Sequence, residues 1–428
     1  MWEAYERELR LMPVLLRSER QGVKINARRL HTDTERWEGF IQTSDQWIRR
    51  RLKSKNLNID SGEELADAIE NAGKVDEWEL TKKGNRSVSK ENLIIACTDP
   101  TLVKVLNYRG TIVTSVRNFA KSWLRMADAN DGFISTNWNQ IRSTNDSGKG
   151  GSGARTGRLS SNPNFQNIPK NPRKIILPAA LAKKGLGELP FMRNYITPDQ
   201  RGHILLNRDY SQQELRILGH FEDGVLREAY TKNPKLDLHD LATGLINDML
   251  GTNFDRKPIK NMGFGLIYGM GLALLADTMG VDKDTARVIK KAYLQIFPGL
   301  KELDNDLKHR GRMKEYIRTW GGRVYYVEPP KIIFGHVRTF EYKLLNILIQ
   351  GSAADCTKEA IIRYDEIRDE SRLLMSVHDE LMIDAPTKAA SREMKLLKEA
   401  MESVAFDVPM LSDGKKGAKS WGEMKKCA

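Results

Sequence analysis

Apolar positions along this chain follow two rhythms. Short apolar runs at residues 203–206, 373–377 and 381–383 are bounded by polar residues and read as strands. Residues 5–52 read as largely helical, as do 63–71, 90–96 and 100–126. Long helical stretches also lie between the first strand run and the second. That pattern is a sheet interrupted by a largely helical insertion, an α+β or α/β arrangement. A Gly/Ser-rich stretch at 145–157 (NDSGKGGSGARTG) and a basic one at 80–87 (LTKKGNRS) read as loops. No repeat with a period of about 20–50 residues is present.

Candidate chemistry gathers at the ends of the strand runs. The first leads into Asp209. Ser211 and Glu214 then have capping-box spacing, which predicts a helix from Ser211 and puts Asp209 at a strand-to-helix turn. In LLMSVHDELMIDAP two apolar runs flank a polar tip carrying His378, Asp379 and Glu380, a predicted hairpin. Each piece alone has a plainer reading: Asp209 as a turn residue, Glu214 as a cap, HDE as a polar turn. Together, carboxylates on two strand ends of one sheet can hold two divalent ions about 3.5–4 Å apart, the arrangement used in phosphoryl transfer. Oxygen ligands select Mg²⁺.

Between the carboxylates lies FDRKPIKNMGFGLIYGMG. Asp255 is the expected cap, and Pro258 falls in the first turn. Arg256, Lys260, Phe264 and Tyr268 recur every four residues and share a helix face. Two cations near the positive end of the helix dipole suit a triphosphate, and two aromatics further along suit a base or sugar. A basic amphipathic helix with core aromatics is the alternative. Gly263, Gly265 and Gly269 cost helix stability and weigh against packing as the whole explanation.

Charge narrows the partner. The 69 Lys and Arg against 56 Asp and Glu leave +13, which favours an anionic partner, nucleic acid above all. The three cysteines form no CxxC pair, so neither a metal cluster nor a disulfide framework is expected. The N-terminus lacks a signal-peptide core, and no apolar run could span a membrane. A soluble, intracellular protein is expected.

At this point the segments resemble a family. DYSQQELR, RKPIKNMGFGLIYG and SVHDE are similar, in order and separation, to motifs of the bacterial DNA polymerase I family (family A). TGRLSSNPNFQNIP, LHD, LLNILIQGSAAD, YRG at 108–110 and SWGEM near Trp421 match further segments, so the resemblance covers nearly the whole chain.

The resemblance implies a right-hand α+β fold. Residues 1–24 would lead into the palm, 25–115 form the thumb, 116–215 and 331–428 the two parts of the palm, and 216–330 the fingers. It implies DNA-directed addition of dNTPs to a primer 3′ end with two Mg²⁺ ions, Mn²⁺ being able to substitute. Asp209, Asp379 and the Tyr210 carbonyl would hold the metals, with Glu380 supporting. Arg256, Lys260 and His239 would hold the triphosphate, and Lys260 would give a proton to the leaving pyrophosphate. Phe264 would face the incoming sugar and base and disfavour dideoxynucleotides. Glu214 would exclude a 2′-hydroxyl, and Tyr268 would border the templating base. Gln212 and Arg193 would lie at the substrate, and Arg158, Asn346, Gln350 and His378 at the primer-template. Primer-template DNA and dNTPs are the implied partners of a monomer in the cytoplasm; no accessory protein is indicated.

The sequence departs from the family in several places. No DxE-type carboxylate set occurs early in the chain, so proofreading is not expected. Asn207–Arg208 is more polar than the usual strand end, Tyr342 stands where the family has arginine, and Gly263 replaces a common asparagine. Residues 170–191 read as an insertion. These features suggest a phage or other mobile element, hence the host-cell cytoplasm. Two alternatives remain: a single-subunit RNA polymerase, against which the bulk of Glu214 speaks, and an inactive primer-template-binding module.

Overall fold

The computed structural model describes residues 2–81, 84–143, 153–333 and 335–427. Residues 145–152 of the Gly/Ser-rich stretch and Lys82–Lys83 of the basic one lie outside these. The centre is an antiparallel five-stranded sheet: β1 (His203–Tyr210), β2 (Arg372–Val377), β3 (Glu380–Pro386), β4 (Ser412–Gly417) and β5 (Lys425–Lys426), in spatial order β2-β3-β1-β4-β5. β1 runs to Tyr210, four residues past its apolar core, because β3 and β4 pair with it to the end. The polar departure at 207–208 is paired there in part, the Asn207 side-chain oxygen being buried without a partner. Asn207 is fully buried and donates its amide to Glu380, and Arg208 donates to the Ser412 hydroxyl at 2.9 Å.

Helices surround this sheet. α1 (Trp2–Gln21) and α2 (Ala27–Arg51) are separate helices, broken at Gly22, rather than one run. α3 (Pro100–Ser115) follows, and a π turn at Val116–Ala120 leads into Lys121–Ala129, the segment expected at 100–126. Between β1 and β2 come α4 (Gln213–Glu222), α5 (Leu238–Leu250), α6 (Arg256–Ile267) and α7 (Leu344–Ile367), with further helices among them. After β3 comes α8 (Ala390–Glu402). α7 is buried along most of its length and packs against α1, α4 and α8, so it forms the spine of the core.

Residues 170–191, read from the sequence as an insertion, form a closed lobe. Its strands of chain are tied by Ile175 N–H to Gly187 C=O at 2.8 Å and Leu189 N–H to Arg173 C=O at 3.0 Å. Leu177, Leu181 and Leu186 are buried, so apolar burial anchors the lobe to the body.

The helix predicted from Ser211 starts two residues later. Gln212 takes a left-handed conformation (φ 55°, ψ 43°), and α4 begins at Gln213. The capping box does not form, because tertiary partners take its side chains: Ser211 donates to Asp413 at 3.1 Å, and Glu214 turns to Arg158 and Tyr268.

Candidate active site

Register across the sheet places three acidic residues in a row. Glu380 on β3 and Asp413 on β4 both lie opposite Asp209 on β1, and directly opposed residues share a face. Glu380 is therefore the first residue of a strand and not, as expected, at the hairpin tip. The tip is His378 (φ 60°) and Asp379. Tyr210 N–H donates to the Asp379 carbonyl at 3.1 Å, which pins the tip beside the end of β1. The Tyr210 ring points away, its hydroxyl donating to Met401 C=O at 2.7 Å.

This end of the sheet crowds carboxylates together. Burial, and then the charge of Asp209, push the Asp379 carboxyl up to about 7. The same two causes raise Glu380, with Arg193 opposing. Asp209 Oδ1 and Glu380 Oε2 are buried without a hydrogen-bond partner. Spare carboxylate oxygens amid clustered negative charge fit a hard divalent cation. Among the described residues no cluster of three or more His, Cys, Asp or Glu forms a full protein cage. The donors suit an ion that keeps waters and shares ligands with a phosphate substrate.

The opposite wall is α6. Asp255 stands at its N-cap position but makes no capping hydrogen bond. Arg256, in the first turn, pairs with Asp237 (2.5 Å) and Asp240 (2.8 Å). Lys260 Nζ lies 5.7 Å from the centre of the Phe264 ring. Phe264 stacks on Tyr268 at 6.2 Å and touches the His239 ring at 5.4 Å. His239 is buried, and that burial pulls its imidazole down to about 4, so it is neutral.

The helix glycines do have a packing reason, contrary to the sequence reading. A Cβ at Gly263 would stand 2.9 Å from the Tyr293 hydroxyl, and one at Gly265 2.4 Å from a Leu275 methyl. Neighbouring helices approach α6 that closely.

Between the walls lies a cavity of about 280 Å³, lined by Arg158, Gln212, Glu214, Phe264, Tyr268, His378 and Asp379 among others. Glu214 accepts from Arg158 on one oxygen and from the Tyr268 hydroxyl (3.1 Å) on the other. Burial, followed by the charge of Glu214, raises the Tyr268 phenol, and Gln350 on α7 reaches the same hydroxyl. The Gln212 amide is committed to the Tyr230 hydroxyl (2.9 Å) and to the backbone of Leu236 and Leu238. Asn346, one turn before Gln350, has a buried amide nitrogen without a partner. Arg193 is buried beneath the carboxylates, 3.7 Å from the centre of the Trp421 ring, and donates to Ile168 C=O at 3.2 Å.

Of the sequence-selected residues, Arg158, Gln212, Glu214, Phe264, Tyr268, His378 and Asp379 line this one cavity, although the Gln212 amide is turned to its own loop; Asp209, Glu380, Arg193, Lys260, His239 and Gln350 adjoin it through the contacts above. Two neighbours carry no sequence signal. Asp413 sits in SDGKKG, too polar to read as a strand. Lys170, in the insertion, puts its Nζ 3.7 Å from Asp209 Oδ2.

The family model described as DNA polymerase family A matches residues 27–423. The chain belongs to DNA polymerase family A. DNA polymerase I of Bacillus caldotenax is 28% identical over 437 residues, covering 98% of this chain and 46% of that protein. The Chloroflexus aurantiacus DNA polymerase I is 29% identical, covering 98% and 43%. The chain therefore spans a little under half the length of these relatives. The POL domain of Pol1 from M. smegmatis, solved with DNA primer-template and dNTP, superposes with a TM-score of 0.78 at 25% identity, over 97% of this chain and 70% of that one. The fold is the right-hand polymerase fold of family A, a metal-dependent class of polymerase.

Proposed function

We propose that this chain is a DNA-directed DNA polymerase that extends a primer with dNTPs by two-metal-ion nucleotidyl transfer. The supporting observation is the placement of Asp379 in one cavity with Phe264 of the basic helix α6, beside Asp209 and its unpartnered buried oxygen. In this reading the central sheet is the palm, the helices between α4 and residue 330 are the fingers, and α2 to α3 carry the thumb.

Asp209 and Asp379 would hold the ions, the Tyr210 carbonyl assisting and Glu380 supporting from the adjacent strand. Two Mg²⁺ ions held there would supply activation of the primer 3′-hydroxyl and charge neutralisation at the leaving pyrophosphate. Lys260 binds the triphosphate and protonates the leaving group. Arg256 joins it after exchanging Asp237 and Asp240 for phosphate oxygens. His239, being neutral, serves as an N–H donor rather than a cation. Phe264 packs on the incoming nucleotide, Tyr268 borders the templating base, and Glu214 fills the space a 2′-hydroxyl needs. Arg158, Asn346, Gln350 and His378 face the primer-template.

The test is extension of a labelled primer on a DNA template with Mg²⁺, using dNTPs and rNTPs in parallel. Extension with dNTPs alone is expected. Asp379→Asn should lose it about 1,000-fold, roughly 4 kcal/mol of transition-state stabilisation. Primer-template binding should persist in that variant. Extension with rNTPs would move the assignment to an RNA polymerase; binding without extension by the wild type would make the chain a binding module.

A further inference from the structure

Several cations, Arg158, Arg193, Lys170 and Lys415 among them, stand near the palm carboxylates, and they differ in what holds them. Arg158 is engaged with Glu214. Arg193 is buried, stacked on Trp421 and hydrogen-bonded to Ile168. Lys170 is different. Its side chain is 58% exposed, and its one ion pair among the described residues is the 3.7 Å contact with Asp209. Its charge also favours the ionised forms of Asp379 and Glu380.

The backbone leading to Lys170 is fixed. Ile168 is buried, and the Gln166 amide donates to Leu159 C=O (2.8 Å) and Ser376 C=O (3.4 Å) on β2. Only the lysine stem is free to swing. An ammonium at 3.7 Å and a divalent ion on the same carboxylate repel each other strongly at that range. That repulsion favours departure of the lysine, and a long, half-exposed lysine can leave at little cost.

We propose that Lys170 is the stand-in cation of this site: it neutralises Asp209 when no divalent ion is bound, and it is displaced when one enters. The proposal rests on the polymerase reading only in taking Asp209 and Asp379 as metal ligands. It gives the lobe at 170–191, whose first residue is Lys170, a function in setting how tightly the site takes its metal.

The experiment measures Mn²⁺ affinity of the full chain by the electron paramagnetic resonance signal of free Mn²⁺, without DNA or nucleotide. Lys170→Gln should bind Mn²⁺ about three- to tenfold more tightly than wild type, the range expected for loss of a partly screened repulsion. Lys170→Arg should bind like wild type. Lys174→Gln, which removes an exposed charge from the same lobe, should also bind like wild type. An affinity for Lys170→Gln within twofold of wild type overturns the proposal, as does an equal shift in Lys174→Gln. Asp379→Asn separates the two levels. If it weakens Mn²⁺ binding while Lys170→Gln changes nothing, only the role of Lys170 falls. If it leaves Mn²⁺ binding unchanged, the ion is not held here and both readings fall.

Discussion

Glu214 is held from two sides, by the guanidinium of Arg158 and the hydroxyl of Tyr268. A carboxylate fixed by two donors resists swinging aside, so under the proposed function its bulk would stay in the way of a 2′-hydroxyl. Glu214→Ala should therefore raise the kcat/KM for rNTPs relative to dNTPs by about 100-fold, the scale on which a pocket rejects one extra hydroxyl. An unchanged ratio in single-nucleotide incorporation would remove Glu214 from sugar selection. His239 makes a second prediction at this scale. Its pKa falls from 6.5 to about 4 on folding, chiefly through burial. The unfolded chain thus binds a proton between those values that the folded one refuses. The contribution is complete above pH 6.5 and is lost as the pH falls toward 4, up to about 3 kcal/mol. Thermal melts of His239→Gln between pH 4 and 6.5 should show a shallower pH dependence than wild type; parallel curves would contradict the burial argument.

Elements are joined by charge as well as by apolar packing. Asp355 on α7 is fully buried. It accepts from the Thr319 hydroxyl (2.6 Å) and from Arg323 (2.9 Å), with Arg7 of α1 at 3.6 Å. Arg323 continues to Glu8, and Glu8 to the buried Lys358 at 2.6 Å. Three parts of the chain, around residues 7, 320 and 355, are locked in this way. Removing one partner leaves buried charges uncompensated. Asp355→Ala should lower the urea-unfolding free energy by about 3–5 kcal/mol. Asp355→Asn, which keeps the shape and an acceptor for Thr319, should lose less. Equal stability for Asp355→Ala and wild type would show the network to be dispensable. The same scale explains Gly263 and Gly265. Seen along one helix they look like a cost, and only the approach of the neighbouring helices shows what they permit.

For the whole molecule, the surplus of +13 sets how DNA binding responds to salt. If the chain neutralises six to ten phosphates, primer-template affinity should drop by about 10³–10⁵ between 50 and 200 mM salt. Fluorescence anisotropy of a labelled primer-template measures this, and a flat dependence would argue against an extended phosphate-binding groove.

How much of this was legible depended on the range of the interactions. Strand cores, most helices and the face shared by Arg256, Lys260 and Phe264 follow from side-chain periodicity, which is local, and their chemistry follows from residue type. The family was legible because its motifs are contiguous strings. Other features were settled by contacts between residues far apart in sequence. Pairing with β3 and β4 carried β1 out to Tyr210, and the polar strand β4 exists because β1 offers it a ladder. Arg158 and Tyr268, 56 and 54 residues from Glu214, took that side chain from its cap. The same is true of Lys170, which has no motif and reaches Asp209 because the buried Ile168 and the tethered Gln166 aim the chain there. The sequence by itself determined which groups this protein has for chemistry; the tertiary structure decided which of them meet, because burial and long-range pairing outweigh the modest preferences of local caps and turns.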